Sequence, residues 1–345
     1  MGSEGLRFGI VGTGAIAKSY EAAFRGLETA RLAGACDVDP TAVWEFSQRV
    51  GCEPYASYQE MAGRADLDAV IICTPPHTHE EITTYFLNRR VAVLCEKPLT
   101  ISVPSAHRIL EAAKRSGAVF TMASKFRYVD DVQRAWELVH DHTIGDVVLI
   151  ENAFTSRVDM SKRWNGDSKR SGGGVLIDNG THSVDILRYF LGTLVDVQIF
   201  EAKRIQGLGV EDTIHLFVRS EQGVTGTTDL SWSIDKELDT YLRIYGSRGT
   251  ILVGWKESRY RLSGETEWNV FGNGYDKVRA FRNQIENFSD AILGRGELRI
   301  TPYDALASVE VINAAYAALQ RSHWESIRGS LGEIGTRSTA ALRVS

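Results

Sequence analysis

The sequence predicts an α/β protein with two parts: a doubly wound domain on a parallel sheet, then an α/β domain on an open, mainly antiparallel sheet. Three observations carry this. Short, unbroken apolar runs alternate with helix-period segments from Leu6 to Met122. A glycine-rich turn joins the first run to the first helix. From Val195 to Val253 the pattern becomes a series of strands with tight turns between them.

Leu6–Val11 reads as a strand, and Ala15–Leu27 as a helix with Ile16, Tyr20, Ala23, Phe24 and Leu27 on one face. Arg31–Cys36 is a second strand. Asp39-Pro40 starts a helix over Thr41–Val50. Strands follow at Ala69–Cys73, Val91–Cys95 and Ala118–Met122, with helices at His79–Asn88 and Pro104–Ser116. Near-continuous hydrophobicity marks strands covered on both faces. Beyond residue 123 come a helix at Asp131–Val139, an alternating run at Val147–Ser156 and a polar, glycine-containing loop to Gly174. A helix at about Thr181–Leu191 precedes strands at Val197–Ile205, Thr213–Arg219, Val224–Trp232, Tyr241–Tyr245 and Thr250–Val253, read as an antiparallel sheet. Two helices close the chain. Val278, Phe281, Ile285, Phe288 and Ile292 share one face; Leu306, Val309, Ile312, Tyr316 and Leu319 share another. The expected division is 1–123, 124–325 with a C-terminal helix able to pack back on the first domain, and a tail at 326–345.

The 345 residues suit two domains. Hydrophobic residues are 43% and charged residues 24%, ordinary for a globular enzyme. A formal net charge of −5 and no basic stripe argue against nucleic acid as a partner. Met1–Gly5 has no signal-peptide pattern, and no apolar window is long enough to span a membrane. The four cysteines (Cys36, Cys52, Cys73 and Cys95) form no C-x-x-C pair, so neither a disulfide framework nor a zinc cluster is expected. A cytoplasmic location is the expectation.

The first strand runs into Gly12-Thr13-Gly14-Ala15-Ile16-Ala17. Gly12 permits the tight turn, Gly14 lets backbone approach a pyrophosphate, and Ala17 lets the helix lie close to the strand. The N–H groups that open the helix then face phosphate oxygens. Asp37 ends the second strand, 25 residues after Gly12, where a carboxylate accepts ribose hydroxyls and repels a 2′-phosphate. This is the fingerprint of a Rossmann domain that binds NAD in preference to NADP, unless Arg49 or another cation intervenes. Asp37 and Asp39 could instead simply cap the following helix.

Ligands of such sheets sit at the carboxyl ends of strands. Cys95-Glu96-Lys97-Pro98-Leu99 therefore directs Lys97 towards the cofactor crevice, where an amine stabilises a developing alkoxide. Pro98 fixes the turn, and the bond before it can be cis at low cost. Thr74-Pro75-Pro76-His77-Thr78-His79 can wall the nicotinamide, with His77 and His79 beside the cofactor and not catalytic. Farther on, Ser171-Gly172-Gly173-Gly174 precedes Asp178 and His182, four residues apart and so one helical turn apart if helical. His182 has the intrinsic pKa for hydroxyl proton exchange, and Asp178 beside it can orient the ring. The three glycines imply backbone squeezed against something. A metal site would need a third ligand, and none is expected.

Together these segments resemble the glucose–fructose oxidoreductase / inositol dehydrogenase / rhizopine catabolism (Gfo/Idh/MocA) family over residues 6–320. The likeness rests on G-I-V-G-T-G-A-I-A, T-P-P-H-T-H, E-K-P-L-T at 96–100 and G-G-G-V-L-I-D-N-G-T-H-S-V-D-I-L at 172–187. The resemblance implies hydride transfer between NAD and a secondary hydroxyl or ketone of a sugar, amino sugar or cyclitol. Lys97, Asp178 and His182 match the family's active-site residues, with His182 as general base, Asp178 tuning and orienting, and Lys97 polarising the oxygen. The cofactor would meet Gly12, Thr13, Gly14, Ala15, Ile16, Asp37, Thr74, Pro75, His79, Glu96 and Lys97. Arg127, Arg163, Trp164 and Asn179 would approach the substrate, and Asp159 and Asp167 would suit an amino sugar. The resemblance also implies a homodimer or homotetramer through the C-terminal sheet. Two alternatives share the fold: an NAD-dependent glycosidase working by transient oxidation, and a non-catalytic NAD-binding regulator.

Overall fold

Leu6–Val11 forms β1, and its last four residues are buried because strands and helices cover it on every side. The computed structural model describes residues 5–321; the expected tail at 326–345 lies outside the described residues. After β1 come α1 (Ala17–Phe24), β2 (Ala30–Cys36), α2 (Pro40–Val50), β3 (Glu53–Tyr55), α3 (Tyr58–Arg64) and β4 (Ala69–Ile72). Then follow α4 (His79–Leu87), β5 (Ala92–Glu96), α5 (Val103–Ser116) and β6 (Phe120–Ala123). The six strands are parallel, in the order β3-β2-β1-β4-β5-β6. Winding reverses beside β1, which opens a crevice at the strands' carboxyl ends. β3 and α3 escaped sequence reading: a three-residue strand containing proline has no apolar run to detect.

The second half contains α6 (Asp130–His140), β7 (Val147–Thr155), α7 (Ser168–Ser171), α8 (Val175–Leu191), β8 (Leu194–Glu201), β9 (Thr213–Ser220) and β10 (Thr225–Ser231). It ends with β11 (Thr240–Gly246), β12 (Gly249–Gly254), β13 (Ser258–Leu262), β14 (Asn269–Gly272), α9 (Lys277–Ile292) and α10 (Pro302–Arg321). Its strand order is β14-β13-β12-β11-β7-β10-β9-β8. The sheet is mainly antiparallel, but β7 and β10 run parallel. The earlier segment β7 is inserted between β10 and β11, so it must parallel one of them.

α9 belongs to the core of the first sheet. Phe281, Ile285 and Phe288 cluster with Phe8, Tyr20 and Phe24, and the Tyr20 and Phe281 rings meet edge to face at 4.8 Å. Each such phenylalanine contributes roughly 1.5–3 kcal/mol by burial. α10 buries Leu306 and Val309 in the α5 side of that domain and Ile312 and Ala315 in the core around α8. These two helices clamp the sheets together and fix how the two halves of the site meet.

Candidate active site

The glycine turn closes the carboxyl end of β1. Gly12 has φ 91°, and a Cβ there would lie 2.9 Å from the Cys73 carbonyl carbon and oxygen, so only glycine fits. Gly14 instead faces open space, leaving a groove that backbone lines directly. The groove, about 570 Å³, is bordered by Gly12, Gly14, Asp37, Thr74, Pro75 and His77. Asp37 Oδ2 accepts from the Thr13 backbone N–H at 2.6 Å and the Thr13 hydroxyl at 3.1 Å. Thr13 therefore ties the turn to the end of β2 and does not border the groove. Ala15 is exposed beside Gly14. Asp39 caps α2 through the Thr41 and Ala42 N–H groups, which leaves Asp37 free of that task. Arg49 pairs with Glu21 at 3.2 Å. An open glycine, apolar strand ends and a carboxylate at the end of β2 fit a dinucleotide.

His79 does not face this groove. It is fully buried, with Nδ1 near the Pro98 and Leu99 carbonyls and Nε2 2.7 Å from the Thr74 carbonyl. Both ring nitrogens bridge two loops, and burial lowers the pKa of the ring. The expectation that His79 touches cofactor is corrected: its role is to staple the loops after β4 and β5 together.

At the end of β5, Lys97 Nζ donates to Asp178 Oδ1 at 2.6 Å and to the Asp178 carbonyl at 3.0 Å. The Lys97–Pro98 bond is cis. Glu96 is buried; its carboxylate accepts from the Tyr20 hydroxyl at 2.8 Å and the Lys97 N–H at 3.2 Å. Burial raises its pKa, with the Tyr20 hydrogen bond opposing most.

Asp178 sits in the first turn of α8, which begins at Val175, earlier than the periodicity indicated. The helix has no side-chain cap of its own. Glu211 Oε1 supplies one from a distant loop, accepting from Gly174 N–H at 2.9 Å and Leu176 N–H at 3.2 Å. The glycine run is squeezed against protein: a Cβ on Gly174 would lie 2.0 Å from the Glu211 carbonyl oxygen. His182 follows one turn after Asp178. Its Nδ1 is buried without a hydrogen-bond partner among the described residues. Burial, then the Lys97 and Lys125 ammonium groups, hold its pKa well below the ordinary histidine value. Asp178 is thus engaged by Lys97, and no hydrogen bond joins it to His182 among the described residues.

Lys97, Asp178, Asn179 and His182 line one cavity of about 330 Å³, together with Ile16, Glu96, Lys125, Phe126, Phe154, Trp255 and Phe281. Arg127 is not among them. It is buried against Asp185 at 2.8 Å and Asp304 at 3.4 Å, so its expected substrate contact is corrected to an internal ion pair. Trp164 borders the dinucleotide groove with Arg170 and not the cavity, and Arg163 borders neither. Asp159 and Asp167 receive the N–H groups of Ser161 and Lys169, as turn and helix caps do. Lys125, Arg170 and the aromatic walls escaped sequence reading. Only Lys125 left a signal, standing just past the carboxyl end of β6.

Residues 6–124 match a family model described as an oxidoreductase family with an NAD-binding Rossmann fold, and residues 132–252 match the GFO/IDH/MocA C-terminal domain. The chain belongs to the GFO/IDH/MocA family. It is 26% identical over 338 residues to an inositol 2-dehydrogenase of Rhizobium meliloti, spanning 93% of this chain and 99% of that protein. Among solved structures it is similar to GenD2 from gentamicin A biosynthesis in complex with NAD, with TM-score 0.82, 26% identity and coverage of 93% and 95%. A levoglucosan dehydrogenase complex with NADH and levoglucosan shares the fold at TM-score 0.86 and 18% identity, covering 94% of this chain and all of that one. Among the described residues, no helix is long and apolar enough to cross a membrane.

Proposed function

We propose that the protein is an NAD-dependent dehydrogenase or reductase that moves a hydride between the nicotinamide and a carbon bearing a hydroxyl of a sugar or cyclitol. One observation carries this: Lys97, Asp178 and His182 arrive from β5 and α8 to line a single cavity beside a groove shaped for a dinucleotide. NAD, when bound, supplies the ring carbon that accepts or returns the hydride. His182, neutral at pH 7 because of burial, takes the hydroxyl proton during oxidation and returns it during reduction. Lys97 donates a hydrogen bond to the oxygen as charge develops there. Asp178 orients the Lys97 ammonium. Phe126, Phe154 and Trp255 give the cavity an apolar wall. The Asp37 carboxylate at the groove favours NAD over NADP.

The proposed division assigns residues 1–123 to cofactor binding and 124–325 to substrate binding and assembly, as a homodimer or homotetramer in the cytoplasm. The test is a panel of polyols, sugars and cyclitols with NAD and NADP, read as absorbance of reduced cofactor. Turnover with NAD, reduced about 10²–10⁴-fold in His182→Ala and similarly in Lys97→Ala, is the expected result. Unchanged rates in both variants would overturn the assignment.

A further inference from the structure

The cavity holds a second amine that proton and hydride transfer do not use. We propose that Lys125 anchors a substrate carboxylate, so that the cavity is built for a sugar acid, a hexuronate or an aldonate. This rests on the dehydrogenase reading and names its substrate class.

Lys125 follows β6, which pairs with β5, so its side chain enters the cavity from the wall next to Lys97. Its ammonium lies 5.2 Å from the Phe126 ring centroid, 5.5 Å from Tyr275 and 6.0 Å from Phe281. Among the described residues it has no hydrogen-bond acceptor, whereas Lys97 has two on Asp178. Aromatic faces attract a cation but do not replace oxygen acceptors for three N–H groups. Burial, then the Lys97 and Lys277 ammonium groups, draw its pKa down to about 8.

The charges nearby do not satisfy it. Asp178 is committed to Lys97, and both carboxylate oxygens of Glu96 already accept hydrogen bonds. Glu96 and Asp178 attract Lys125 through space, but less than burial and the neighbouring lysines disfavour its charge. Lys277, at the start of α9, stands 5.9 Å from the same Phe281 ring and adds positive charge nearby. A cavity of about 330 Å³, whose lining includes the cofactor-side residues Ile16, Glu96 and Lys97, has room for no more than one monosaccharide unit. A carboxylate brings one negative charge to one unpaired ammonium. A phosphate monoester would bring nearly twice that charge beside Asp178 and Glu96.

The experiment uses the full chain with NAD and matched pairs: D-glucuronate and D-glucose, D-galacturonate and D-galactose, D-gluconate and D-glucitol, with glucose 6-phosphate as the phosphate arm. Binding of the same compounds is measured by calorimetry. The acid is expected to exceed its neutral partner in kcat/KM and in affinity. Lys125→Gln is expected to cut that ratio by about 10–100-fold, mainly through KM, and Lys125→Arg to recover part of it. A thermal melt of each variant establishes folding. Equal or better use of the neutral partners, a ratio that survives Lys125→Gln, or preference for glucose 6-phosphate would each overturn the proposal. Glucuronate binding that needs Lys125, with no cofactor reduction by any compound, would remove the dehydrogenase reading and leave the carboxylate site standing.

Discussion

A histidine as enclosed as His182 resists protonation, because an imidazolium there would lose water and face the Lys97 and Lys125 ammonium groups. The acid limb of kcat/KM for oxidation should therefore fall well below pH 6.5, as a pH–rate profile would reveal. A limb centred at 6.5 or above would contradict a buried neutral base. Stability carries the same sign. The unfolded chain binds the His182 proton below about pH 6.5 and the folded chain does not, so stability is lost as pH falls through that window. Lys125 behaves likewise higher up. Its folded pKa of about 8 lies below the unfolded value of roughly 10.4, so its charge weakens the fold at neutral pH. Lys125→Met should stabilise the protein by about 1–3 kcal/mol at pH 7 in urea melts, with the gain shrinking as pH rises from 8 towards 10.4. The sequence pointed to Asp37 and Lys97 because strand ends locate them. Helical spacing placed Asp178 one turn from His182, but its hydrogen-bond partner is the Lys97 amine, which arrives from 81 positions away in the chain.

Helix α8 carries both Asp178 and His182, so its start sets their position. That start depends on Glu211, whose backbone and carboxylate together hold Gly174, Val175 and Leu176. Tyr316 of α10 donates to the same carboxylate at 2.7 Å. Gly174→Ala would drive a Cβ into the Glu211 carbonyl, with rigid backbone on both sides. A loss of about 2–4 kcal/mol in a denaturant melt is expected, with kcat reduced at unchanged cofactor affinity. The three glycines signalled a close approach, and sequence could not say to what. Apolar strands and helices were legible; β13 and β14 were not, because at five and four residues they are too short for a period to stand out from the loops around them.

Across the whole molecule, α8 and α6 cover one face of the eight-stranded sheet. On β9 the residues of the other face alternate outward, and Phe217 among them is 43% exposed. Asp196 and Arg219 form an exposed ion pair on the same face. Such a face supports assembly. Light scattering should give a mass of two or four chains, and Phe217→Glu should reduce it while leaving the far-UV spectrum intact. A monomeric parent would refute this.

By itself the sequence determined the winding of the first sheet, the glycine turn, Asp37, and the presence of Lys97, Asp178 and His182 in one chain. Those features are local: hydrophobic period, turn stereochemistry and strand-end position act over a few residues. Only tertiary structure decided that Asp178 pairs with Lys97, that Arg127 and His79 are internal struts, and that Lys125 stands in the cavity without a hydrogen-bond acceptor among the described residues. Those outcomes depend on which distant groups are brought within hydrogen-bond reach as two sheets are clamped by α9 and α10, and periodicity carries no record of that.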